Sequence, residues 1–229
     1  MGKRLIQQRR GRGTGPYKSP GHRFIGQAKH PVTDGEATVM DILHCAGHSA
    51  PLMAVSCESG EIALSIAPKG VAVGDTLADG ASGTVKRLGD LVEGTLIYNI
   101  EARPGDGGKF VRSSGAFARV VSKNNGIVRV KLPSRVEKSF SEDCRAAIGV
   151  VAGSGRTEKP FMKAGNRFHR MKARNKLYPR VCGVSMNAVD HPFGGSSSHV
   201  KGRPTQAPRN APPGRKVGKI APKRTGRKR

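Results

Sequence analysis

The alternation of apolar and polar positions marks a β-rich middle in this chain. In "EIALSI" (61–66), Ile62, Leu64 and Ile66 alternate with small or polar residues, the period of a half-buried strand. "EATVMDILHC" (36–45) and "LMAVSC" (52–57) predict two further strands, and "TLIYNI" (95–100) is rich in β-formers. "APKGVAVGD" (67–75) reads as a Gly-rich turn, a short strand and a second turn. The clearest element is "ARVVSKNNGIVRVKL" (118–132), where two alternating runs flank "NNG". Asn and Gly tolerate the positive φ that a hairpin turn demands. No segment of 31–155 carries a helical stripe longer than about two turns. A short basic helix is expected only within "KPFMKAGNRFHRMKARNKLY" (159–178), where Gly165 interrupts it. From Pro179 onward, seven prolines and many glycines predict an extended path. Short strands joined by Gly-rich turns point to small barrels or a sandwich.

Charge divides the chain in the same way. Of 229 residues with a net charge of +25, residues 1–30 contribute +8 and residues 31–100 contribute −6. Residues 101–155 add +5, and residues 156–229 add +18. The middle suits an ordinary globular domain, whereas the ends are self-repelling arms that bury too little apolar surface to fold alone. A dense polyanion supplies what they lack, because each phosphate neutralised by Lys or Arg releases a condensed counterion. A membrane surface would call for an amphipathic basic helix. "RGRGTGPYKSPGHR" (10–23) and the segment 203–229 are instead broken by Gly and Pro. Nucleic acid is the expected partner.

The start "MGKRLIQQRR" has no apolar stretch behind it, unlike a secretory signal, and Ile6 stands where a myristoylation motif wants Ser or Thr. No apolar run approaches the ~20 residues that cross a bilayer. Cys45, Cys57, Cys144 and Cys182 form no C-x-x-C pair and read as reduced and structural.

Three constellations could carry chemistry. "HCAGH" (44–48) offers two His four apart, but Gly47 and the strand-like flanks favour Cys45 as a small hydrophobe over a metal site. "NAVDHPFGGSSSH" (187–199) contains the residue types of a hydrolytic triad. It lacks the G-x-S-x-G elbow and lies in a cationic, proline-broken extension. Its glycines and serines suit a loop that lays N–H and O–H donors on phosphate and ribose. The third is the set of cations beside glycines and aromatics: Lys109 and Arg112 in "GGKFVRSSG" (107–115), and Lys163, Arg167, His169 and Arg170 in "KAGNRFHR" (163–170). Arg can grip phosphate or stack on an exposed base. At least one of Phe110 and Phe117 is expected in the core. With only 4% aromatic residues, binding through shape and phosphates is favoured over a stacking sheet.

The stretches "APKG…GD" (67–75), "PGDGGKFVRSSGAFARVV" (104–121), "DCRAAIG" (143–149), "KAGNR" (163–167) and "MNAVDHPFGG" (186–195), in this order, resemble the universal large-subunit ribosomal protein L2 family. "HRFIGQAKHPV" and "DHPF" resemble its archaeal and eukaryotic branch. The resemblance implies a mainly β fold: a basic extension at 1–30, an OB-like barrel at 31–84, an SH3-like barrel at 85–158, and a basic rRNA-threading extension at 159–229. It implies a non-enzymatic, cytoplasmic constituent of the large subunit, supporting subunit assembly, subunit association and the peptidyl-transferase region. Its implied partners are large-subunit rRNA, neighbouring large-subunit proteins and the small subunit at a bridge, with no membrane. No cofactor is expected beyond Mg or K ions bridging to rRNA, and no protein metal site. Phe193 stands where bacterial members carry a second histidine, and Ser196–Ser198 replace the family's glycine-rich continuation.

The residues expected to contact rRNA are Lys109, Arg112, Arg145, Lys163, Arg167, Arg170, Arg180, Asn187, His191, Gly194 and Gly195. Lys and Arg are expected as phosphate clamps, and His191 as a hydrogen-bond donor or stacking partner. Two other classes remain on the sequence alone: a DNA-compacting protein, and a hydrolase using His191 with a nearby serine.

Overall fold

Two antiparallel sheets form where the alternating runs lie. The computed structural model describes residues 2–31, 36–196 and 205–223, and the fold is mainly β. It divides into two units: Gly21–Met162, and a second made of Met1–Pro20 with Lys163–Arg229.

In Gly21–Met162, β1 (Ala37–Leu43), β2 (Leu52–Cys57), β3 (Ile62–Ile66) and β4 (Thr76–Leu77) form a sheet in the order β3-β2-β1-β4. A second sheet contains β5 (Val85–Arg87), β6 (Leu96–Tyr98), β7 (Ala118–Asn124), β8 (Ile127–Lys131), β9 (Glu137–Ser141) and β10 (Arg145–Ile148). Its order is β5-β10-β6-β7-β8-β9. The hairpin at "NNG" forms as the sequence predicts. Asn124 pairs with Ile127, and Asn125 and Gly126 take φ of 45° and 75°, the left-handed pair of a two-residue turn.

Two local expectations fail for identifiable reasons. Ile62 is 69% exposed although Ile66 is buried, because β3 is an edge strand and Ile62 begins it. The short strand expected between Gly70 and Gly74 does not form. Both glycines take positive φ, Gly74 N–H bonds to Val39 O, and the Asp75 carboxylate accepts from Ala72 N–H. The segment turns instead of pairing.

The two sheets share apolar packing. Leu52 and Ile66 from the first meet Tyr98 and Ala147 from the second, together with Val151 just beyond β10, and the Tyr98 hydroxyl donates to Ile66 O at 3.0 Å. Cys45 packs here as a small apolar side chain. Phe110 packs against the core of the second sheet and edge-on to Phe140 at 5.3 Å, while Phe117 is exposed.

A polar knot lies beneath the loop 102–108. Glu101 is fully buried, and its carboxylate accepts from Gly105 N–H, Gly107 N–H and Arg145 N–H at 2.9–3.1 Å. The Arg145 guanidinium stands 3.4 Å from the same carboxylate and donates to Pro31 O at 2.9 Å. Asp106 closes the other side by accepting from Ala102, Arg103 and Gly108 N–H. Burial alone would raise its pKa; those backbone donors and the Lys109 charge outweigh it and hold the carboxyl low. Gly108 has φ +96°, and a Cβ there would overlap the Asn99 carbonyl and amide oxygens, so only glycine suits the position.

The strap 24–31 crosses this knot. Lys29 N–H donates to Leu64 O and His30 N–H to Gly107 O. The His30 ring bonds Asn99 O through Nε2 at 2.6 Å, and Asn99 Nδ2 approaches its Nδ1 at 3.4 Å.

In the other unit, α1 (Ile6–Gly11) and α2 (Ala164–Ala173) are the α-helices among the described residues. The sequence did not predict α1, whose entry is fixed by Leu5 N–H donating to Gln8 Oε1. The expected basic helix is α2. Gly165 falls in its first turn with nothing near it, so little packing is lost. Lys176 N–H bonds to Met171 O and Asn175 N–H to Lys172 O, with Asn175 at φ 46°. These bonds terminate the helix in a Schellman motif. The extended path expected from Pro179 is broken by hydrogen-bonded turns at Gly183–Ser185, 187–191, 191–194 and 212–216, and β11 (Gln206–Ala207) pairs in parallel with β12 (Lys219–Ile220) over two residues, while 197–204 and 224–229 lie outside the described residues.

His30 makes stability depend on pH. Burial lowers its pKa from 6.5 to about 4, although the Asn99 carbonyl and the Glu101 charge pull it upward. Between those values the unfolded chain binds a proton that the folded one refuses. Stability should therefore be complete above pH 6.5, fall through that window by at most roughly 3 kcal/mol, and level off below it. Urea unfolding at pH 7.5, 5.5 and 4 should show this fall, and His30→Gln should flatten most of it.

Candidate nucleic-acid interface

The two units sort the charge. The unit formed by the chain ends holds 24 Lys and Arg against one acidic residue, while Gly21–Met162 holds 17 against 15. Among the described residues, the end unit buries few apolar side chains, such as Leu5, Ala207, Ala211 and Val217. Several of its described cations stand on helices and turns that the unit's own hydrogen bonds define.

Helix α2 carries three of those cations, Arg167, Arg170 and Lys172. Lys163 immediately precedes it, Arg167 and Arg170 lie along it, and every residue from Ala164 to His169 is exposed. Arg170 and Lys172 in the last turn complement the negative end of the helix dipole. The Arg167 guanidinium stacks over Tyr178 at 5.2 Å, which orients the cation while leaving its N–H groups available. Asn175 Nδ2 donates to Lys18 O at 2.8 Å, tying the helix end to the N-terminal segment.

The stretch 186–195 is a loop closed on itself. Asn187 O accepts from Asp190 and His191 N–H, Gly194 N–H donates to His191 O, and Gly195 N–H returns to Met186 O. A Cβ at Gly194 would overlap Asn187 O, and Gly195 has φ +87°. Gly183 packs against the His191 ring so closely that it too admits no side chain. The N-terminal segment clamps the loop: Lys3 N–H donates to Val189 O at 2.7 Å, and Lys3 Nζ lies 3.9 Å from Asp190.

His191 Nδ1 accepts from Phe193 N–H at 3.0 Å, and the rings meet at 5.3 Å. Burial lowers its pKa. With Nδ1 accepting, the neutral ring carries its proton on Nε2. This arrangement is the reverse of a catalytic triad, where Nδ1–H donates to the orienting carboxylate. Among the described residues, His191 Nδ1 therefore has the Phe193 amide, and no carboxylate, as its partner. Ser197, Ser198 and His199 lie outside the described residues.

Next to the loop lies an open cavity of about 510 Å³. Arg180, Asn187 and His191 of the expected contacts line it, with Arg9 and Asp190, which the sequence reading left out of that set. Asp190 could have been singled out as the lone acid among so many cations. Nothing in the local sequence marks Arg9.

The remaining expected contacts belong to the β unit, and two are engaged internally. Arg112 donates to Gly108 O at 2.7 Å and Ala28 O at 2.8 Å, and burial lowers its pKa. Arg145 is held by Glu101 and Pro31. Both brace the strap and the 102–108 loop. Lys109 is exposed on that braced loop, and it lines a cleft of about 350 Å³ together with Lys29 and Arg112. Among the described residues, no cluster of His, Cys, Asp and Glu is arranged to hold a metal ion, and no helix is long and apolar enough to cross a membrane.

Comparison with known proteins places this arrangement. The family model described as Ribosomal Proteins L2, C-terminal domain, matches residues 81–214. The chain is 51% identical to the large ribosomal subunit protein uL2 of Haloarcula marismortui, covering 99% of this chain and 98% of that one. It is 48% identical to the proteins of that name from Methanococcoides burtonii and Archaeoglobus fulgidus, with both members of each pair covered completely.

The closure of the 186–195 loop is testable. Gly194→Ala should force Asn187 O away and open the loop, at a local cost of about 1–3 kcal/mol. Hydrogen exchange should then show lost protection at the Gly194 and Gly195 amides, with protection of the β7–β8 hairpin unchanged.

Proposed function

The chain belongs to the ribosomal protein L2 family, and on that premise we propose that it is a non-catalytic structural constituent of the large ribosomal subunit, held there by large-subunit rRNA. The observation that carries this reading is the unit of 24 cations and one acid. Such a unit gains affinity from phosphates by counterion release and has little apolar core of its own. Its home is then the ribosome in the cytoplasm, where it supports subunit assembly, association with the small subunit and the peptidyl-transferase region beside neighbouring large-subunit proteins. Mg or K ions bridge it to rRNA where phosphates crowd.

Roles divide by how each cation is held. Lys109, Lys163, Arg167, Arg170 and Arg180 meet phosphates. Arg112 and Arg145 act by positioning the loop that presents Lys109. Asn187, His191, Gly194 and Gly195 form a preshaped surface, with His191 Nε2–H as a donor toward RNA. A DNA-compacting role would require comparable affinity for duplex DNA and rRNA in competition at physiological salt.

Sedimentation of a native lysate through a sucrose gradient tests the reading: the protein should travel stoichiometrically with large subunits and stay through a high-salt wash. Migration at the top, or with DNA, would overturn it. Arg167→Ala should weaken binding to an rRNA fragment and reduce the slope of log K against log salt by about one counterion. An unchanged slope would remove Arg167 from the contacts.

A further inference from the structure

Asp190 is the lone acidic side chain in a unit built to meet a polyanion, and it lines the cavity of about 510 Å³. A carboxylate so placed is repelled by phosphate unless the polyanion offers it hydrogen-bond donors. Lys3 offsets part of its charge, but at 3.9 Å the pair lies beyond hydrogen-bond range and consumes none of its acceptor capacity. The carboxylate is carried on a formed turn, since Asp190 N–H bonds to Asn187 O and Lys3 N–H secures Val189 O.

The other walls sort by chemistry. Ile6, Leu177, Val181 and Met186 supply apolar surface, while Arg9 and Arg180 are exposed cations. Such a site takes a ligand with a flat apolar face, a hydrogen-bonding edge and an anionic flank. Its volume falls within the roughly 300–1,000 Å³ typical of sites for small ligands. In RNA, the object with those three parts is a nucleotide lifted out of the stack. Guanine places N1–H and N2–H₂ side by side, matching the two oxygens of one carboxylate. Uracil offers a single N–H between two carbonyls, which a carboxylate repels.

We infer that this cavity receives an unstacked guanosine of single-stranded RNA, with Asp190 accepting from its Watson–Crick edge and Arg9 and Arg180 on the adjoining phosphates. The inference rests on the RNA-binding reading above and adds a base preference to it.

Fluorescence anisotropy with the full chain tests it, using an oligouridylate and the same oligomer carrying one central guanosine. At physiological salt the guanosine oligomer should bind about ten-fold more tightly. That ratio should collapse toward one in Asp190→Asn, which preserves side-chain size, and in Val181→Trp, which fills the cavity. Equal affinities in the unaltered protein, or a preference that survives either substitution, would overturn the inference. Tight binding of both oligomers without preference would leave the RNA-binding reading standing. Failure to bind either oligomer or an rRNA fragment would sink both. Saturation by free guanosine monophosphate with no preference between oligomers would also overturn it, assigning the cavity to a free nucleotide.

Discussion

Glu101 has no exposure, and a carboxylate in that position is tolerable only while donors surround it. Those donors are the amides of Gly105 and Gly107 and both the amide and guanidinium of Arg145. Satisfying one charge thus fixes the loop after β6 and the start of β10. Through Arg145 and Pro31 it also fixes the end of the strap. Arg112 extends the brace to Ala28. A network of this kind holds only if every member is present, so the loop that carries Lys109 has one shape rather than several.

The basic unit reaches definition by another route. It has little apolar burial to spend, and its order rests on local closures. These are the Schellman end of α2, the turn on Asn187, and the glycines whose places no side chain could take. A surface shaped before it meets a partner loses less entropy on binding than a free tail would. The cations of α2 are thereby presented by structure already formed in the free chain.

Much of the β unit was legible because alternation is a local property. Strands at 37–43, 52–57 and 62–66 and the hairpin at 118–131 lie where the pattern puts them. Strands β4, β5 and β10 are two to four residues long, too short for a period to register. Glu101 was illegible: it sits in "NIEARPGDGG", which reads as an exposed turn, and its partner is 44 residues away. For the same reason the internal partners of Arg112 and Arg145 could not be read from the sequence, since carbonyl partners leave no trace in composition. At the candidate interface the residue types of 186–195 were informative, but the direction of the Phe193-to-His191 hydrogen bond belongs to the backbone. That direction gives His191 Nδ1 a backbone amide, not a carboxylate, as its partner.

The division of the chain also dictates an order of events during its synthesis. Gly21–Met162 is continuous, so it can fold as soon as it has emerged. Lys3 and Lys18, by contrast, find their partners at Val189 and Asn175, which are made more than 150 residues later. Throughout that interval the first twenty residues are a cationic segment without its counterpart. Any polyanion or chaperone that engages them then competes with the closing of the basic unit, making the timing of that engagement part of how this molecule is put together.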